Sequence, residues 1–176
     1  MIPVGAKCIL YNLQQIRESS ALALCREKNV SKRPAYRIFV ATDGSAGANR
    51  AVDTASMFAK HGDADLTILT IGGNISGVQL RKLADTAGDL SKTMEIGADK
   101  ILARARKRAL HAGARRVKME TGWGDPAETI IEAVRREKAD MLVIGRRGRG
   151  RLSGLLLGSV SQKLATLAPC IVVVVP

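Results

Sequence analysis

Two stretches near the end of the chain, "ADMLVIG" (Ala139–Gly145) and "CIVVVVP" (Cys170–Pro176), are apolar without interruption. A strand with one wet face alternates apolar and polar residues, whereas a continuous run has no side to offer water. Such strands belong in a parallel sheet covered by helices on both faces. A helical pattern, Ser159–Leu167, lies between the two runs and can serve as the crossover. The length of 176 residues suits one domain of this kind, and 46% hydrophobic content suffices for its core. Aromatic residues make up just 3%, so that core must be built from Ala, Val, Ile and Leu, with little aromatic surface for stacking bases.

Further upstream the same alternation continues. "YRIFVAT" (Tyr36–Thr42) reads as the first strand, and a helical pattern over Gly47–Lys60 follows, with Ala51, Ala55, Phe58 and Ala59 on one face. "DLTILTI" (Asp65–Ile71) is the second strand. One long helix is expected over Leu83–Ala112, its apolar stripe made of Leu90, Met94, Ile101 and Ala105. "RRVKMET" (Arg115–Thr121) alternates in polarity and reads as a half-exposed edge strand. "GDPAETIIEAVRREK" opens a helix, with Asp125 as N-cap, Pro126 at the first helical position and Glu128 at the third.

Five strands separated by four helical segments predict a three-layer α/β domain over residues 35–176. Right-handed crossovers in a doubly wound layout give a five-stranded parallel sheet of order 3-2-1-4-5 with helices on both faces. Ligands of such sheets bind beyond the carboxyl ends of the strands, where the winding direction reverses. Here that point lies between strands 1 and 4, so "TDGS" and "GRRGRG" should face one another. Residues 1–34 form a basic N-terminal extension, read either as one short amphipathic helix (Ile9, Leu13, Ile16, Leu24) or as disordered.

The segment "GRRGRGRLSGLLLGS" (Gly145–Ser159) therefore sits at the expected crevice. Gly145 and Gly148 can let a ligand approach the backbone, and Gly158-Ser159 stands where the last helix begins. A helix N-terminus offers unpaired N–H groups and partial positive charge, which together suit phosphate. The competing reading is a mobile loop followed by an ordinary helix cap. Asp43, directly after a buried strand, suits either a ligand contact or a local turn. Ser45 reads as the N-cap of the first helix.

Gly145-x-x-Gly148, the nine residues Arg149–Leu157, then Gly158-Ser159 resemble the nucleotide-binding pattern G-2x-G-9x-G-[S/T] of the universal stress protein family. "VATDGS", "GDPAETIIEAV", "ADMLVIGRRGRG" and "PCIVVVVP" resemble that family too, in the expected order, across residues 36–176. The resemblance implies an adenine nucleotide α-hydrolase-like fold that binds ATP with Mg²⁺ or Mn²⁺. It implies that Ala41, Thr42 and Asp43 line the adenosine end, with Asp43 reaching the ribose or, through water, the metal. Ile71 would contact adenine, while Gly145, Arg147, Gly148, Arg149, Gly158, Ser159 and Val160 would surround ribose and phosphates. It also implies a homodimer joined through strand 170–176. AMP or a cyclic nucleotide is an alternative ligand, since a phosphate cradle does not count phosphates.

Three departures from the family pattern bear on the site. Ala41 stands where ATP-binding relatives often have Pro, "IGGN" after strand 2 should leave the adenine wall loosely held, and Arg151 adds charge to the loop. The chain contains no GxSxG elbow, no HExxH and no SGGxDS loop, so a dedicated enzyme is not expected, although slow ATP hydrolysis is compatible with the site. His61 and His111 fall at helix C-termini, where they complement the helix dipole.

The formal net charge of +12 attracts polyanions whatever the specific function. It supports a second reading as a nucleic-acid- or anionic-surface-binding protein, through Lys7, Arg17, Arg26, Lys28, Lys32 and Arg33 and through Arg104, Arg106, Lys107 and Arg108. Cys8, Cys25 and Cys170 form no CxxC or Cys/His cluster, and Cys170 reads as a small buried hydrophobe. With no run of about 18 apolar residues and no secretory signal, a cytoplasmic protein without a membrane span is expected.

Overall fold

In the first strand Ile38 and Val40 turn to one side and Phe39 to the other, and all three are buried, so this strand has no wet face. It is the centre of the sheet. The computed structural model describes residues 35–73, 77–149 and 157–176. The expectations for residues 1–34, for Arg151 and for most of the spacer before Gly158 lie outside these.

The strands are β1 (Arg37–Ala41), β2 (Asp65–Ile71), β3 (Arg116–Gly122), β4 (Met141–Gly145) and β5 (Ile171–Val175). They form one sheet of order β3-β2-β1-β4-β5, with every pairing parallel. The helices are α1 (Ala46–Gly62), α2 (Gly77–Thr86), α3 (Gly88–His111), α4 (Pro126–Arg136) and α5 (Ser159–Leu167). One core layer joins Ile38, Val40, Ile68 and Val143 to α1 and α3; the other joins Phe39, Leu69, Leu142 and Val172 to α4 and α5. The expected order and two-faced covering are thus observed.

The single long helix over Leu83–Ala112 is not. Ala87 leaves helical geometry at φ −146°, ψ 59° and becomes the N-cap of a new helix, dividing the segment into α2 and α3. Gly88 is a weak helix former and Asp89 favours a first turn, so "AGD" starts a helix more readily than it continues one. The break also shifts the buried stripe. Ser91, Ala98, Leu102, Ala105 and Ala109 face inward, while Leu90, expected in the stripe, is 52% exposed. Small residues on this face let α3 lie close against β2, β3 and α1.

β3 is the half-exposed edge its alternation predicts. β5 departs from the expectation of a strand covered on both faces. It is the opposite edge of the sheet, and Ile171 is 43% exposed while Val172 and Val175 are buried. Cys170, just before it, is half-buried rather than fully enclosed.

Candidate functional site

The carboxyl end of β1 is tied down before any ligand is considered. The Thr42 amide donates to the Leu69 carbonyl, and the Thr70 hydroxyl donates to the Thr42 carbonyl. The chain then turns sharply at Gly44, which takes φ +78°. Ser45 caps α1, its Oγ accepting from the Ala48 amide at 3.2 Å. Within this turn both Asp43 oxygens are engaged. Oδ1 accepts from the Ser45 amide at 2.9 Å, and Oδ2 accepts from the Arg149 amide at 2.8 Å across the crevice. The two segments expected to oppose each other are therefore joined by a carboxylate-to-backbone bond. Asp43 is both a turn residue and a cleft residue.

The glycines of the loop are required for different reasons. A Cβ on Gly145 would lie 2.8 Å from the Gly47 carbonyl carbon and 3.0 Å from the Ala48 nitrogen, so Gly145 admits the N-terminus of α1. Gly47 returns the relation, since its own Cβ would fall 2.9 Å from the Arg147 carbonyl oxygen. A Cβ on Gly148 would meet Asp43 Oδ2 at 2.6 Å. Gly158 is unlike these. It has ordinary extended geometry (φ −70°, ψ 156°), and a Cβ there would meet nothing closer than 3.6 Å. The protein itself does not demand glycine at 158.

Gly158 is the N-cap of α5, and it supplies no side chain to the first turn. α1 and α4 have capping side chains, Ser45 and Asp125, with Asp125 accepting from the Ala127 and Glu128 amides at 3.1 Å, whereas α3, N-capped by Ala87, has none. Ser159, Val160 and Ser161 thus present first-turn N–H groups beside the cleft. An anion at such an end gains about 1 kcal/mol from the helix dipole, more when partly buried. Below it, the Ser161 hydroxyl donates to the Gly145 carbonyl at 2.9 Å and ties α5 to β4.

All of this opens on one cavity of about 420 Å³ at the switch point. Every residue expected at the site lines it: Ala41, Thr42, Asp43, Ile71, Gly145, Arg147, Gly148, Arg149, Gly158, Ser159 and Val160. Sequence reasoning missed its opposite wall, Leu69, Gly73, Pro126 and Ile130, and also Gln162. Pro126 and Ile130 were legible as a helix start and an apolar position, but nothing local said that α4 leans over the cleft. Asp43 is the sole acidic side chain among the described lining residues.

Of "IGGN", the described residues Ile71–Gly73 are held by backbone bonds that the glycine content did not lead one to expect. The Gly72 amide donates to the Gly122 carbonyl and the Gly124 amide to the Gly73 carbonyl, which prolongs the β2–β3 pairing. A Cβ on Gly72 would overlap the indole of Trp123, so the glycine lets that ring lie flat on the backbone. Arg149 touches both the cleft and the neighbouring turn. Its amide bonds Asp43 across the cleft, and a guanidinium nitrogen would be 3.4 Å from a Cβ on Gly44, with Ile101 beside it.

A parallel sheet of this order, with helices on both faces and a glycine loop at its switch point, defines a doubly wound α/β domain, a class whose ligands bind at that crevice. Comparison with known proteins narrows this. The universal stress protein family matches residues 35–176, and the chain belongs to that family. Universal stress protein Rv1636 of Mycobacterium tuberculosis is 33% identical over 144 residues, spanning 80% of this chain and 97% of the relative. A universal stress protein solved in complex with cAMP is 30% identical, with TM-score 0.59 over 80% of this chain and 96% of its own. UspA from Lactobacillus plantarum, 23% identical, has the same fold with TM-score 0.69 over 81% of this chain and 98% of its own. Among the described residues no helix is long and apolar enough to cross a membrane.

Proposed function

We propose that the protein binds an adenine nucleotide, ATP with Mg²⁺ or Mn²⁺, in the switch-point cleft, and acts as a homodimeric stress-response regulator whose output is partner contact rather than turnover. The observation that carries this reading is the first turn of α5, which has no capping side chain and lines the same cavity as the glycine loop and Asp43. An anion there completes the helix cap. The cleft volume of about 420 Å³ lies within the range of small-ligand sites. The cAMP-bound relative supports an adenine nucleotide as the class of ligand.

In this reading Ala41 and Thr42 border the adenosine, and the apolar side chains of Ile71, Leu69 and Ile130 bury the base. Gly158, Ser159 and Val160 offer N–H groups to phosphate, and Arg147 adds charge. The donor set fits a divalent cation carried by the nucleotide. Mg²⁺ is typically held by one or two carboxylates together with substrate phosphates. Asp43 is the carboxylate available, and no group of three or more metal-ligating side chains exists among the described residues. Such a cation would neutralise phosphate charge, with Asp43 reaching it through water.

The test is mass spectrometry of freshly purified, denatured protein, which should release adenine nucleotide and identify its phosphate number. Gly158→Val should lose the nucleotide while remaining folded. If no nucleotide is carried, and none binds at concentrations on the order of micromolar, the reading is wrong.

A further inference from the structure

On the far side of the Asp43–Ser45 turn lies a second cavity, of about 340 Å³, whose charged lining is entirely cationic. Lys100, Arg104 and Arg108 of α3 reach it from one face of the helix, since they stand four residues apart. Arg149 reaches it from the β4–α5 loop and is shared with the first cleft. Ile101 forms an apolar floor and Asn49 of α1 adds an uncharged polar group.

Folding does not account for this convergence. Like charges four residues apart on a helix repel and destabilise it. Arg108 is compensated by Asp53, with Nε–Oδ1 at 2.5 Å. Lys100, Arg104 and the Arg149 side chain have no ion-pair partner among the described residues. Asp43 accepts from the Ser45 and Arg149 amides but makes no ion pair with the Arg149 guanidinium. Lys100, Arg104 and Arg149 are as exposed as Arg106 and Lys107, but they line one concavity and those two do not. Here four cations from two elements meet in a concavity.

We propose that Lys100, Arg104 and Arg149 form a second anion site that takes a phosphate chain, either a free polyphosphate-type anion or the distal phosphates of a nucleotide. Guanidinium groups bind phosphate oxygens bidentately, and the ammonium of Lys100 adds a point charge. Only the second of these sources rests on nucleotide binding in the first cleft.

The probe is sodium tripolyphosphate, titrated calorimetrically into the full chain at moderate salt, without nucleotide. One site per chain is expected. Arg104→Ala and Lys100→Ala should each weaken it by about tenfold or more, the worth of one charged hydrogen bond, and Arg106→Ala should not. Leu102 and Ala105 keep the buried face of α3 in these variants, so the fold is retained. Parallel titrations with ATP and AMP separate the sources. If Arg104→Ala weakens ATP but not AMP, the site takes the nucleotide's own phosphates; if it weakens only tripolyphosphate, the anion is separate. The proposal is overturned if Arg104→Ala weakens the binding of neither tripolyphosphate nor ATP, including the case in which Gly158→Val alone abolishes it. It is also overturned if Arg106→Ala weakens binding as much as Arg104→Ala, which would make the helix a diffuse polyanion face. Retention of nucleotide through purification is unaffected by any of these failures, so the two readings fail separately.

Discussion

Gly145, Gly148 and Gly158 stand in one loop and pattern, yet they answer to different neighbours. At Gly145 a methyl group would press on the backbone of Gly47 and Ala48, which cannot swing aside. Gly145→Ala should therefore destabilise by about 1–3 kcal/mol through overpacking, read as a lower urea midpoint with unchanged slope. At Gly148 the obstacle is the Asp43 carboxylate, which can rotate away at the cost of its bond to the Arg149 amide, so Gly148→Ala should cost about 1 kcal/mol. Gly158→Ala should be near neutral for folding, because the backbone is already in an ordinary region and space is open. An effect of that variant on ligand binding alone would mark Gly158 as a ligand-facing residue. The positions were legible in the sequence as a spaced pattern. Their separate reasons were not, because each depends on an atom far away in the chain. Cys170 makes the same point. Burial, aided by the charge of Asp140, pushes its thiol up to about 11. A raised value means that the folded state holds the proton more tightly. Its stabilising contribution is present below the ordinary thiol range and is lost as pH rises towards 11. Alkylation of Cys170, followed by peptide mass mapping, should be slow at neutral pH and reach half its limiting rate near the same value.

At the scale of elements, what the sequence predicted well was carried by local chemistry. Asp125 and Pro126 announce α4, and the carboxylate caps the helix as expected. Asp125→Ala should cost about 1 kcal/mol, and Asp125→Asn should recover most of it, measured by urea unfolding. Because Pro126 and Ile130 form the far wall of the cleft, the alanine variant should also weaken ligand binding, whereas a purely structural cap would leave affinity unchanged. The α2–α3 segment was misjudged because apolar periodicity alone does not see a break that preserves helix on both sides. Thr86–Asp89 held the signal, a weak helix former beside a residue that favours first turns. With the break in place, Ser91 rather than Leu90 turns inward, and the three alanines that follow on the same face set how closely α3 approaches the sheet.

At the scale of the whole molecule, strand order was legible because right-handed crossovers leave few ways to stack such a chain. The β3 edge was legible in its alternation, but the exposure of β5 was not, since an apolar run reads alike in a central strand and in an edge strand awaiting a partner. β5 is such an edge, with Ile171 exposed and Val173 and Val174 half-covered, a surface that invites pairing with another chain. The hydrogen bonds decide which residues would be used. The Ile171 amide donates to Asp140, and the Val175 carbonyl accepts from Arg146, so residues 171, 173 and 175 face β4. Successive residues alternate in a strand, which leaves the amides of Val172 and Val174 directed at the free edge. If the proposed homodimer forms by pairing these edges, Val174→Pro should convert it to a monomer, because proline removes a donor that only the partner strand uses. The variant should remain folded, with stability lowered by about 1 kcal/mol from altered packing. Val173→Pro removes a donor facing β4 and should instead unfold that corner of the sheet, lowering the thermal midpoint by several degrees. Light scattering coupled to size exclusion, read beside thermal melts, separates the two. A Val174→Pro protein that is still dimeric would place the dimer interface elsewhere on the molecule.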